Sequence, residues 1–198
     1  MHISDGVLNG TVCMGGYAIT ALITAYSLKK MSTEDIPKIS VVTSAFFIAS
    51  LIHIKIGPTS VHLVLNGLVG ILLGMAAFPS ILIGLLLQAF IFGHGGITTL
   101  GVNAVIMGVP ALIAHALFRL RKLNTAKTFV LFLAFLSGGI AIFISSLLLA
   151  LFLVFSEKEF VTVAKIAVVS NIPVMLIEAT ICLLVVKFLL QVKPRLLE

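Results

Sequence analysis

The chain has 198 residues, of which 60% are hydrophobic and only 10% charged, with a mean hydropathy of +1.25 and a formal net charge of +6. A soluble domain carries about 25% charged residues. The composition therefore excludes a soluble globular enzyme and points to one integral-membrane domain over residues 1–198, an all-α polytopic bundle in lipid. Most basic residues fall at span ends, where they set topology, so the positive charge is not a nucleic-acid footprint.

Seven transmembrane helices are predicted in chain order. The first runs from about Leu8 to Leu28 and stops at Lys29-Lys30. The second covers Ile39 to Ile56 and ends at Gly57-Pro58; the third covers Val61 to Phe78 and is broken by Pro79. The fourth, Ser80 to Phe92, is short. A spanning helix needs about 17–25 residues, so this span is expected to borrow from the loop Gly93-His94-Gly95-Gly96, or that loop to enter the membrane. Irregular backbone at such depth survives only buried in protein or facing a cavity. The fifth helix is Val102 to Phe118, closed by Arg119, Arg121 and Lys122. The sixth is Thr128 to Phe155, and the seventh, Val161 to Leu190, contains Lys165, Pro173 and Glu178.

Lysine and arginine crowd one side of this arrangement: Lys29, Lys30, Lys38, Arg119, Arg121, Lys122, Lys127, Lys193 and Arg195. The other side has Lys55 and Lys158, with Lys165 near its edge. The crowded side is expected to be cytoplasmic, which puts the N-terminus outside and the C-terminus inside. No cleavable signal is expected, because a charged leader is missing and Asp5 precedes the first apolar run. Cys13 and Cys182 lie far apart in apolar runs and form no zinc or redox pattern.

With this topology His2, His62 and His94 converge on the external face. His53 lies towards the same face, and His115 at the cytoplasmic end; both are read as interfacial. Position 2 gives the first histidine a special chemistry. The α-amine of Met1, the amide nitrogen of His2 and its Nδ1 can close two adjacent rings around one cation. Three nitrogens in a plane suit Ni(II) and Cu(II), with Co(II) also accepted. His62 or His94 would supply one more donor, and the remaining histidine would orient a ligand or close the site.

The densest motif is Phe92-Gly93-His94-Gly95-Gly96-Ile97-Thr98-Thr99-Leu100-Gly101-Val102-Asn103. Thr98, Thr99 and Asn103 offer hydroxyl and amide partners, and Gly95 follows the histidine directly. Next to a short span, the loop is expected to be buried and site-lining. No lysine follows its glycines as in a phosphate-binding loop, and none occurs elsewhere in that pattern, so ATP is not expected to bind through one. Glu178 is the only carboxylate deep in a span and so a functional candidate by default. Lys165 and Lys187 on its own helix are too distant at about 1.5 Å per residue, so a partner on another span and a packing or assembly role are expected. Gln88 and Asn66 are expected to hydrogen-bond between helices.

Three segments carry a resemblance to a known family: Met1-His2-Ile3-Ser4-Asp5-Gly6-Val7-Leu8, Thr59-Ser60-Val61-His62-Leu63, and the Gly93 to Asn103 loop with its Gln88-Ala89-Phe90 lead-in. Asn171-Ile172-Pro173 with Glu178 adds a weaker match. On these residues the chain resembles the CbiM/NikM family, the substrate-binding (S) components of cobalt and nickel energy-coupling-factor (ECF) transporters. The resemblance implies a seven-helix bundle with the N-terminal segment tucked in to bind Co2+ or Ni2+ as transported substrate. It implies Met1, His2 and His62 as direct ligands, with His94 and its loop closing the site. It implies a cell-membrane location and partners that do the ATP chemistry: a transmembrane coupling (T) subunit, ATPase subunits and often a small accessory membrane protein. Two competing readings are weaker. An intramembrane metallohydrolase needs a general base beside its metal, and the chain has no HExxH. A stand-alone secondary carrier predicts repeated halves with broken helices at the midplane, and no internal repeat is visible.

Overall fold

The computed structural model describes the backbone of residues 2–56 and 59–197, and the side chains of these residues except 53–62. Helix α1 spans Gly10–Leu28, and the Asn9 side chain caps it by accepting from the Val12 amide at 2.9 Å. Helix α2 spans Ile36–Ser50. Strands β1 (His53–Ile56) and β2 (Thr59–His62) follow as an antiparallel pair, with His53 opposite His62. Helix α3 is Asn66–Leu73, α4 is Ala77–Phe92, α5 is Leu100–Phe118 and α6 is Lys127–Ser156. Helices α7 (Val161–Ser170) and α8 (Ile172–Val192) complete the chain.

Among the described residues five helical stretches are long and apolar enough to cross a membrane: Gly10–Leu28, Asn66–Phe92, Leu100–Lys122, Lys127–Ser156 and Lys158–Val192. The distribution of polarity agrees with lipid as the solvent. Met14, Leu22, Phe132 and Phe188 are exposed, while Asn66, Ser80, Gln88, Asn103 and Glu178 are buried. The chain is thus an all-α polytopic membrane protein with one small hairpin inserted. Helix α5 is the central post and touches α1, α3, α4 and α6. Small residues let its neighbours approach as close as backbone: a methyl at Gly70 would overlap the Ala111 carbonyl, and one at Gly101 would sit 2.6 Å from the Tyr17 amide nitrogen.

Several predicted boundaries are corrected. The second span does not continue as helix to Ile56; α2 ends at Ser50 and His53–Ile56 is extended. The third and fourth spans are not divided at Pro79. The break falls at Gly74, whose φ of 58° takes the chain out of helical geometry, and Pro79 sits in the first turn of α4, where its missing N–H interrupts nothing. The fourth helix therefore lengthens backward to Ala77 rather than borrowing from the Gly93 loop. The predicted seventh helix is interrupted at Asn171, because Pro173 cannot donate an amide back into the preceding turn. The Asn171 side chain instead donates to the Ala167 carbonyl at 2.8 Å.

Candidate metal site at the N-terminal segment

The segment before α1 has no secondary structure to satisfy its peptides, so side chains of α5 do it. Asn103 lies in the first turns of α5 and is buried. Its Oδ1 accepts from the Ile3 amide at 2.9 Å and its Nδ2 donates to the Ile3 carbonyl at 2.9 Å. Thr99 Oγ1, also buried, donates to the same carbonyl at 2.7 Å. Ile3 itself is buried in the hydrophobic core, so residue 3 is fixed by both backbone and side chain.

That anchor places His2 against α4. The half-buried imidazole Nε2 lies 2.7 Å from Gln88 Oε1. Gln88, 1% exposed, sends its Nε2 to Ser50 Oγ at 2.6 Å, at the end of α2. The exposed His94 ring stacks near the His2 ring, with centroids 6.5 Å apart, and near Phe92 at 6.1 Å. Gly95 closes the remaining side. Its φ is 79°, and a methyl there would lie 3.1 Å from Asn103 Nδ2 and 3.6 Å from His2 Cδ2. Glycine is required twice over, by the left-handed backbone and by the close approach.

Asp5 holds the other end of the loop. Its carboxylate accepts from Thr98 Oγ1 at 2.5 Å, from the Thr98 amide at 3.0 Å and from the Ile97 amide at 3.2 Å. The Thr98 hydroxyl is the largest of the influences that hold the carboxyl below the usual carboxylate value, with backbone amides helping and desolvation opposing. The Ile97 carbonyl accepts from the Tyr17 hydroxyl, and the Gly101 carbonyl from Thr20 Oγ1, which tie the same loop to α1.

Of the residues singled out from sequence, the fold therefore brings together His2, Gln88, His94, Gly95, Thr98, Thr99 and Asn103. Gln88 is not only an interhelical group; it touches His2. Glu178 is elsewhere in the bundle. Its Oε1 accepts from the Val64 amide at 2.5 Å and the Leu65 amide at 2.9 Å, and its Oε2 from Leu65 at 2.9 Å. This holds the segment that follows β2, where Leu65 adopts a φ of 51°. The partner expected on another span is thus backbone rather than a charged side chain. Met1 and the His62 side chain lie outside the described residues; His62 is placed only as the last residue of β2. Among the described residues no three His, Cys, Asp or Glu side chains converge. Sequence reading missed Asp5 and Ser50 as site-building residues.

The fold and this site define a multi-pass membrane protein with an N-terminal segment folded into its bundle end. A family described as the cobalt uptake substrate-specific transmembrane region, CbiM, matches residues 2–196, and the chain belongs to it. A Haemophilus influenzae protein named for metal transport is 35% identical over 200 residues, covering 100% of this chain and 97% of its own length. A Methanocorpusculum labreanum protein named for cobalt transport, CbiM 2, is 31% identical over 100% of this chain and 92% of its own. The fused nickel transport protein NikMN of Rhodobacter capsulatus is 34% identical over 127 residues, 61% of this chain and 37% of that one. Two crystal structures described as transition metal transporters share the fold, at TM-scores of 0.85 and 0.86 and 24% identity; the first covers 96% of this chain and 99% of its own.

Proposed function

We propose that this chain is the substrate-capturing membrane component of a Co2+ or Ni2+ uptake transporter of the ECF kind, with high affinity for its ion. In this reading the Met1 amine, the His2 amide nitrogen and Nδ1, and His62 bind the ion, and His94 with its loop closes over it. Planar nitrogen ligation favours Ni2+ among the two. A coupling subunit, ATPase subunits and a small accessory membrane protein complete the transporter, and hydrolysis belongs to the ATPases. Residues 1–198 act as one integral-membrane domain.

The observation that carries this reading is the double anchoring of residues 2 and 3. His2 bonds to Gln88 while the Ile3 peptide is clamped by Asn103 and Thr99. These bonds tie residues 2 and 3 to α4 and to the start of α5, which is the fixed placement that a ligand-presenting segment requires.

Seven crossings are inferred: α1, α2, α3 with the extended segment before it, α4, α5, α6, and α7 with α8. The opposite end of the bundle from His2 supports the orientation. There Lys30, Lys38, Arg119, Arg121 and Lys122 line a cavity of about 370 Å³ with Gly74 and His115. Basic ends face the cytoplasm, so His2 faces outside, where the ion arrives.

The test is a chain carrying one extra residue before Met1. Calorimetry with Ni2+ and Co2+ is expected to show binding abolished while thermal unfolding of the metal-free protein is unchanged. Undiminished affinity would remove the terminal amine, and with it the proposed site.

A further inference from the structure

The hydrogen bonds behind His2 have a direction, and that direction is set by a helix end. In a regular helix the Phe47 carbonyl would accept from the Leu51 amide. Here the last turn of α2 tightens, and the Leu51 amide donates to the Ile48 carbonyl at 3.1 Å. The Phe47 carbonyl accepts instead from Ser50 Oγ at 2.6 Å. A carbonyl can only accept, so the single hydroxyl proton of Ser50 is committed to it. Ser50 Oγ must then accept from Gln88, which fixes the Gln88 NH2 towards Ser50, at 2.6 Å, and its Oε1 towards His2. An amide oxygen also only accepts. The proton at the 2.7 Å contact therefore belongs to His2 Nε2, and in the neutral ring the lone pair falls on Nδ1.

We propose that the Phe47 carbonyl, Ser50 and Gln88 form a one-way hydrogen-bond chain that holds His2 in its Nε2–H tautomer and so prepares Nδ1 to bind the transported ion. Gln88 and Ser50 are positioning residues: they act on the ion through His2. The inference rests on the metal site proposed above. Its mechanism is the general one by which a partner on one ring nitrogen fixes the tautomer and basicity of the other. Nδ1 is the nitrogen nearest the His2 backbone, and it is the only one that can share a chelate ring with that residue's amide. If the amide of Gln88 were reversed, its NH2 would face Nε2, the proton would move to Nδ1, and the chelate would be blocked until it left. Burial matters because water would otherwise satisfy Gln88 in either orientation; Gln88 is 1% and Ser50 5% exposed.

The test uses the full chain in detergent with 15N-labelled imidazoles. Long-range 1H–15N correlation of the metal-free protein, with His2 assigned by its loss in His2→Ala, reads the tautomer directly. The expected result is Nε2–H in the native chain and a mixture in Ser50→Ala and Gln88→Met. An Nδ1–H ring in the native chain, or a pattern that neither variant changes, overturns the proposal. Titration with Ni2+ and Co2+ adds a functional reading. Gln88→Met is expected to lose about 10–100-fold in affinity, and Gln88→Glu to recover most of it, because burial keeps its carboxyl protonated, with an O–H to donate to Ser50 and an oxygen to accept from His2. A glutamate no better than methionine would make Gln88 a packing residue and overturn the proposal. If the native chain holds the Nε2–H tautomer but binds neither ion, the metal reading fails while the hydrogen-bond chain stands.

Discussion

Asn103 and Ile3 are joined as two strands would be: the Asn103 side chain both accepts from the Ile3 amide and donates to the Ile3 carbonyl, each at 2.9 Å. An amide side chain carries the same donor and acceptor groups as a peptide, so it can serve both ends of the Ile3 residue at once. Aspartate could not donate, and leucine could do neither. Because Asn103 stands on the central helix of the bundle, the N-terminal segment inherits the rigidity of α5 rather than the mobility of a chain end.

The Asn103→Ala variant is therefore expected to leave the Ile3 amide without its acceptor in a buried place. The cost of such an orphan is about 1–3 kcal/mol, and the Ile3 carbonyl keeps Thr99. Metal affinity should fall although no ligand is altered, and the melting temperature of the metal-free protein should drop modestly. Calorimetry and thermal unfolding together check this; unchanged affinity would mean that residues 1–3 find their place without Asn103.

Glu178 supports a different element of the proposed site. It accepts the amides of Val64 and Leu65, and Leu65 is held at a φ of 51°, a conformation that leucine adopts only under constraint. Glu178→Ala removes that constraint and leaves the buried Val64 amide and the part-buried Leu65 amide without it, the buried one at a cost of about 1–3 kcal/mol. Gln at this position keeps one accepting oxygen and is expected to restore most of the stability. Because β2 lies just before this turn, the Ala variant should also weaken metal binding through His62. A stable Glu178→Ala protein with native affinity would show that the turn holds itself.

The bundle was legible in the sequence because lipid demands long apolar runs, and α1, α5 and α6 fall close to their predicted limits. The loop before α5 was legible as site-lining because its glycines and hydroxyls stand beside a short helix, but the expectation that it is buried is corrected: Gly93, His94, Ile97 and Thr98 are exposed, and Gly96 and Thr99 are buried. The hairpin was not read as such, although His53-Ile54-Lys55-Ile56 alternates and Gly57-Pro58 follows it, a pairing that signals a strand and turn. Apolar character masked the period of two. The Gly74 break was given to Pro79 because proline is the stronger breaker in a helix interior; in a first turn it is harmless. Asp5 and Ser50 escaped because their roles depend on contacts at sequence separations of 92 and 38 residues, which no local pattern encodes.

The two histidines that meet at the site are expected to differ in weight. His2 would supply two of the donors, from its amide and its ring, whereas His94 stacks beside it and is exposed. His2→Ala should abolish measurable Ni2+ binding, while His94→Ala should lose about 10–100-fold, the range for groups that support ligands. Equal losses by calorimetry would make His94 a direct ligand and would require a different set of donors.

Acid should act on this protein in two separate windows. The proposed ligands, an α-amine and imidazoles, have free values of about 7.7–8.0 and about 6.5, and the ion must displace their protons. Affinity should therefore decline from about pH 8 and fall most steeply below about pH 6.5. The docking of the loop has a lower window. The Asp5 carboxyl is held below its ordinary 3.8, first by the Thr98 hydroxyl. A value lowered by folding means that the carboxylate stabilises the docked loop fully above pH 3.8, and that this contribution disappears as the pH falls through the folded value. Hydrogen exchange at the Ile97 and Thr98 amides, corrected for its intrinsic pH dependence, should stay protected through the pH range in which metal affinity is lost. Asp5→Asn should lower that protection near neutral pH yet leave the upper window where it was. An affinity flat between about pH 8 and pH 6 would point to carboxylate and carbonyl donors, which titrate near 4 or not at all, and would remove the nitrogen site. Loss of amide protection in step with loss of affinity would show instead that acid undocks the loop, and that ligand protonation is not the cause.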